Sequence, residues 1–264
     1  MIMYLQSLVI VLLLLFQTAS TSQAPVKKNE AFTIGETLTF NVSYFLFNAA
    51  EAKMVIDDNI HYINGKPTYK IDVYGKTLNL FKLFYVKDNW GSYIDTAQII
   101  PYRSYRHIEE GNYRKHESID FDHKDQVASR KLFDRENEKI TDIKTYDIPY
   151  QVQDIVSGYY LQRTMNFKGL RKGDKIDIKG FFDEKNYNLK LTYEGKDEIT
   201  TDIGDFDTHI FSPEMPSNKL FRGKKPIKIW ITDDENRIPV KIKASMVVGS
   251  INMEIVSAVG LRNK

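Results

Sequence analysis

Three carboxylates in a row, Asp233-Asp234-Glu235, stand between the apolar stretches Ile227–Ile231 and Ile238–Ile242. Neighbouring carboxylates can ligate a divalent cation or divide acid and base roles between them. A second set, Asp205, Asp207 and His209, alternates along an expected strand, so its three donor side chains would share one face. Spacing names no fourth ligand for it, and Asp202, Gly204 and Asp205 have the chemistry of a turn. The five histidines (His61, His107, His116, His123 and His209) form no HExxH. His107, His116 and His123 fall in a stretch crowded with both charge signs, which reads as solvated hairpins. Ser157 lies outside any G-x-S-x-G context and has no assignable base. Cysteine is absent, which removes thiolate nucleophiles, thiolate metal sites and disulfides. Lys172-Gly173-Asp174-Lys175 reads as a turn into a strand rather than a phosphate loop. The expectation is no catalytic residue, no metal and no cofactor.

Those carboxylates are better explained as a hairpin. With Asp233 to Asn236 as a four-residue loop, Ile231 faces Ile238, Ile229 faces Val240 and Ile227 faces Ile242, three apolar pairs in one register. On the other face Trp230 meets Pro239 and Lys228 meets Lys241. Alternation of period two recurs across the chain: Leu38, Phe40, Val42, Tyr44 and Leu46 in the run Glu36 to Phe47; Tyr69, Ile71 and Val73; Tyr187, Leu189, Leu191 and Tyr193; Ile251, Met253 and Ile255. Asn64-Gly65 and Glu110-Gly111-Asn112 separate such runs as hairpin turns. One segment differs. Val152, Ile155, Val156 and Tyr159 recur at helical spacing, which predicts a helix of about four turns over Gln151 to Asn166. The fold class expected is mainly β: a curved antiparallel sheet, half-barrel or barrel, with one principal α-helix.

The run Leu78 to Tyr85 (LNLFKLFY) is the least polar stretch of the expected sheet region, with only Asn79 and Lys82 polar. A buried strand, the apolar lip of a cavity or a membrane-touching amphipathic turn would each use it, and Leu78, Phe81, Phe84 and Tyr85 are the ligand-binding candidates. With 16 Tyr, 15 Phe and 2 Trp among 264 residues, the chain has ample aromatic material for a core. Charge is balanced, 37 Lys plus Arg against 35 Asp plus Glu. Arg103, Arg106, Arg114 and Lys115 interleave with Tyr102, Tyr105 and Tyr113, but Glu109, Glu110 and Glu117 dilute that stripe. No nucleic-acid partner is expected, and an anionic glycan or lipid headgroup suits those arginines better.

Residues 1–22 have the shape of a secretory signal peptide. Leu8 to Phe16 is an apolar h-region, small polar residues follow, and Met1 to Ala24 contains no charged side chain. The apolar run Leu5 to Phe16 is about 12 residues, short of the roughly 20 needed to span a bilayer. Cleavage would leave residues 23–264 as a single β-rich domain with no stable membrane span.

Several short stretches together resemble a bacterial exported family known only as domain of unknown function 3108. They are Ile34-Gly35-Glu36-Thr37-Leu38; Val86, Asp88, Trp90, Ser92, Tyr93, Ile94 and Asp95 leading to Pro101; and Asp154 to Arg163, similar to a D-x-x-S-x-x-Y-x-x-R run. Ile229 to Asp234, Arg237 to Val240 and Gly249-Ser250-Ile251 complete the set, and the resemblance covers Phe32 to Leu261. It implies an antiparallel β protein of the Gram-negative envelope, in the periplasm, and it supplies no functional positions. The reading that follows is a non-enzymatic protein that binds a lipid or other hydrophobic envelope component in a β-lined cavity. The alternative is an interaction or assembly module with an envelope protein partner.

Overall fold

The computed structural model describes residues 28–45, 47–78, 86–134, 136–214 and 223–264. The signal-peptide residues 1–22 and the candidates Phe81, Phe84 and Tyr85 lie outside them. Eight strands run consecutively: β1 (Thr37–Tyr44), β2 (Phe47–Ile63), β3 (Lys66–Thr77), β4 (Lys87–Asp95), β5 (Pro101–Glu110), β6 (Tyr113–Asp122), β7 (Val127–Phe133) and β8 (Ile140–Asp147). Helix α1 (Ile155–Arg163) follows. Six more strands complete the chain: β9 (Lys175–Phe182), β10 (Lys185–Thr201), β11 (Gly204–Pro213), β12 (Ile227–Thr232), β13 (Pro239–Ser245) and β14 (Ser250–Val259).

All fourteen strands form one antiparallel sheet in which each is hydrogen-bonded to its sequence neighbours, except that β14 pairs with β1 and β8 and β9 are left as edges. The sheet curls until those edges face each other without pairing. The Asn186 side chain donates to the Asp147 carbonyl (2.8 Å), and the Tyr146 and Phe181 rings meet at 5.5 Å across the seam. Gln153 supplies a single parallel bridge to Gly180. The result is a barrel-like sheet that is not closed.

Helix α1 packs against the sheet. Val156 and Tyr160 join Phe32, Leu38, Phe40, Ile71, Ile94 and Ile255 in the main core. Full burial of such a side chain contributes about 1.5–3 kcal/mol, so this cluster is what holds the curl. The helix is shorter than its periodicity predicts, with 9 residues. Gln151 takes a left-handed conformation (φ 59°) and Gln153 is recruited to β9, so helical backbone starts only after Asp154. The face also differs: Ile155 is exposed, and Val156, Tyr160 and Arg163 point inward.

The hairpin around Asp233 exists, with a different register. Ile229 pairs with Ile242, Ile227 with Ala244 and Lys228 with Lys243. Arg237 adopts φ 47°, which adds a fifth loop residue, and a bulge at Trp230/Ile231 absorbs the remainder. The slip is two residues, so each strand keeps its faces. Near the first strand, Phe45 also takes a left-handed conformation (φ 54°). It turns the chain two residues before the alternating run ends, and Phe47 starts β2.

Candidate functional site

The two sets meet in one cleft through Asp233 and His209. His209 on β11 turns its side chain inward against Phe167 and Tyr193, while Asp205 and Asp207 stay exposed. Asp233, at the end of β12, donates its backbone N–H to the Asp207 carbonyl (2.8 Å) and places Oδ1 2.8 Å from His209 Nε2. Tyr193 on β10 completes the chain, its hydroxyl 2.9 Å from His209 Nδ1. A carboxylate only accepts, so Nε2 carries the proton; in the neutral ring the Tyr193 hydroxyl donates to Nδ1. Lys196 binds the other Asp233 oxygen. Burial works against the Asp233 charge, but hydrogen bonds from Lys196 and His209 outweigh it and lower its pKa. Burial raises the pKa of Tyr193.

This cleft, which also includes Lys168, Glu235 and Arg237, has a volume of about 570 Å³. Both imidazole nitrogens are engaged inside the chain, so neither is offered to a bound molecule as a base. The network instead fixes the Asp233 loop: Asp234 accepts from the Thr232 hydroxyl (2.7 Å) and from the Arg237 N–H (2.8 Å). Among the described residues no group of three or more His, Asp or Glu is placed to hold a metal ion. His123, expected in solvent, is buried, with Nε2 2.7 Å from the Pro101 carbonyl. Ser157 is committed to the helix cap. It exchanges hydrogen bonds with Asp154, whose N–H donates to Ser157 Oγ (2.9 Å) and whose Oδ1 accepts from Ser157 N–H (2.8 Å).

Beneath the same end of the barrel lies a buried ion pair that local sequence could not announce. Arg163, at the end of α1, forms a two-pronged contact with Glu36 at the start of β1, and neither side chain reaches solvent. Its guanidinium also donates to the carbonyls of Ala31 (3.2 Å) and Asn236 (2.9 Å) and lies about 5 Å from the Phe32 and Tyr160 rings. Burial opposes the Arg163 charge, and the Glu36 carboxylate more than offsets it, so the pKa is raised. At the other end of the helix, Asp154 accepts from the Ser92 hydroxyl (2.6 Å). Burial pushes its pKa up to about 6 in spite of these bonds. Glu36, Ser92, Asp154, Ser157, Tyr160 and Arg163 therefore lock the helix to the sheet. The space beside it, lined by Trp90, Arg106, Asp154 and Phe181, is about 30 Å³, room for about one water.

The opposite end of the barrel is apolar. Phe45, Phe47, Leu78, Val247 and Val248 are 40 to 68% exposed. They sit on adjacent strand ends in the order β3, β2, β1, β14, β13. The Leu78 N–H donates to the Ala49 carbonyl (2.9 Å), the Tyr44 hydroxyl donates to the Val248 carbonyl (3.2 Å), and the Phe45 ring lies against Gly249. Leu78 is thus the candidate that the described residues place, on this rim. Cross-strand lysine pairs, Lys76 with Lys87 and Lys228 with Lys243, flank it on both sides. Among the described residues no helix is long and apolar enough to cross a membrane.

No curated protein matches the chain. A solved structure, the β-barrel-like protein of domain of unknown function DUF1849 from Brucella abortus, aligns with a TM-score of 0.55. The alignment covers 86% of this chain and 98% of that one at 8% identity, a likeness of fold alone. A "putative lipoprotein" from Parabacteroides distasonis aligns over 88% of this chain and 99% of its own at 11% identity, with a TM-score of 0.32 that bears no argument. The family model described as "Protein of unknown function (DUF3108)" matches residues 39–256, most of the strands and the whole helix. The chain belongs to that family.

Proposed function

We propose that this is a non-enzymatic protein of the cell envelope, exported to the periplasm, which binds a lipid or another hydrophobic envelope component at the apolar rim. The observation that carries the reading is the contiguous exposure of Phe45, Phe47, Leu78, Val247 and Val248 on neighbouring strand ends. An apolar patch of this kind, bordered by polar residues, marks an interaction surface. The flanking Lys76/Lys87 and Lys228/Lys243 pairs support an amphiphile. Like charges directly opposite each other are unfavourable on their own, and an anionic headgroup relieves them. Phe81, Phe84 and Tyr85, outside the described residues, stay with Leu78 as proposed ligand-binding residues on the strength of the sequence alone. The interior beside α1 is filled, which favours a ligand held at the mouth of the barrel.

Native mass spectrometry of the protein purified from its own envelope tests this. A bound lipid or fatty acid, lost on Phe47→Asp with Leu78→Asp, is the expected result. A ligand-free chain that also ignores added fatty acid and phospholipid would sink the reading. The second reading, an assembly module, has its support in edge strand β8, where Ile140 and Ile143 are exposed beside an unpaired backbone. A protein partner retained in place of lipid would favour it.

A further inference from the structure

We infer that the outer face of β2 to β7 is a binding groove for a polysaccharide chain of pyranose units. Ser92 on β4 reaches Asp154 at the helix cap, so Asn89, Gly91 and Tyr93 point away from α1. In register with them lie Lys70, Asp72 and Tyr74 on β3, Arg103, Tyr105 and His107 on β5, and His116, Ser118 and Asp120 on β6. Six rings touch in sequence across this face. His61 and Tyr93 are 5.7 Å apart, Tyr93 and Tyr105 6.0 Å, Tyr105 and His107 5.8 Å, His107 and His116 4.0 Å, and His116 and Phe133 4.7 Å. The ribbon crosses the sheet from β2 to β7, five steps of about 4.8 Å, or roughly 24 Å.

Successive rings meet at angles between 28° and 76°, and the middle of the ribbon is held in place. A Cβ on Gly91 would lie 2.0 Å from the Tyr105 ring, so only glycine lets that ring lie down on the strand. The Tyr105 hydroxyl is anchored on Asp72 (2.6 Å). A groove of about 570 Å³ runs over the ribbon from Tyr93 to Phe133. Aromatic rings pack on the C–H surface of a pyranose, and the carboxylate and guanidinium groups beside them can add hydrogen bonds from hydroxyls to those they already make. The charges are already paired, Lys70 with Asp72, and Arg103 and Lys131 with Asp120. The groove's field is therefore small and complements a hydroxyl-rich chain better than a strongly anionic one. An acyl chain would bring no hydrogen-bonding group to this polar floor.

Calorimetric titration of the purified protein with neutral, N-acetylated and uronic-acid hexasaccharides tests the assignment. The neutral or the N-acetylated saccharide binds more tightly than the uronic-acid one, and Tyr93→Ala and His107→Ala each weaken its binding about tenfold, the size expected for one lost ring contact, with an unchanged melting temperature. Tyr105→Ala removes the cover of Gly91 and can unfold locally, so the exposed Tyr74 serves as the control, with Tyr74→Ala giving a smaller loss. The Phe47→Asp, Leu78→Asp protein keeps its saccharide affinity, which separates this groove from the lipid rim. No binding by any of the three saccharides, binding by the uronic-acid saccharide alone, or binding that ignores both ring variants, overturns the inference. So does self-association or capture of a polypeptide through this face in place of a saccharide.

Discussion

The two ends of the barrel are made from opposite materials. At one, Arg163, Glu36, Asn236, His209 and Asp233 form buried or half-buried polar contacts joined across distant parts of the chain. At the other, phenylalanine, leucine and valine stand in solvent on short turns. A buried ion pair is costly to form and costlier to break, so it fixes how the strands, helix and loop fit together. Exposed apolar side chains contribute almost nothing to folding and are explained by what they touch. The difference places the long-range polar contacts at the first end and the exposed apolar surface, where we propose that ligand binds, at the second.

That contrast can be broken most severely at Arg163. Arg163→Ala leaves Glu36 buried without a partner and should cost about 3–5 kcal/mol. A Glu36→Leu, Arg163→Met double variant should recover part of the loss, read as the midpoint of urea unfolding. Asp154 gives the next effect, through pH. Its folded pKa of about 6 lies above the ordinary 3.8, so the folded state holds a proton that the unfolded chain has released. Stability from this group is present below pH 4 and lost as pH rises through 6, by about 3 kcal/mol in all. Asp154→Asn keeps the cap and should flatten that slope in unfolding curves taken from pH 4 to 7. Asp233 has the opposite sign. Its lowered pKa stabilises the fold above the usual carboxylate range, a contribution lost on acidification.

His209→Ala comes third. It leaves the Tyr193 hydroxyl without its partner and frees the Asp233 loop, a loss of about 1–2 kcal/mol in chemical denaturation. The smallest change in stability belongs to the rim. Val248→Ser or Phe47→Ser should shift unfolding by no more than about 0.5 kcal/mol while abolishing ligand retention in native mass spectra. A rim variant that unfolds the barrel would erase the distinction between the ends.

The polar end was the harder of the two to read in the chain. Period-two alternation exposed the strands, and Asn64-Gly65 and Asp233–Asn236 exposed their turns, because those signals are local. The exchange between Glu36 and Arg163 spans 127 residues, and nothing in either neighbourhood names the other. Asp233 stood out as part of an acidic turn and His209 as part of a separate donor set, but their meeting depends on how β11 and β12 pair. The register of the β12/β13 hairpin depends on Arg237 entering the left-handed region, which no residue type there demands. Helix α1 was visible through its spacing, while its inward face was set by Arg163, a charged residue that periodicity counts as outward. Phe45 and Phe47 did signal themselves, as apolar residues on what should have been a polar face.

The direct test of the central claim is photo-crosslinking with a diazirine fatty acid, followed by peptide mapping of the labelled chain. Label concentrated in peptides containing Phe45, Phe47, Leu78 and Val247–Val248 is the predicted result. Label centred on α1, on the Asp233 cleft or on the ring ribbon of the outer face would contradict it.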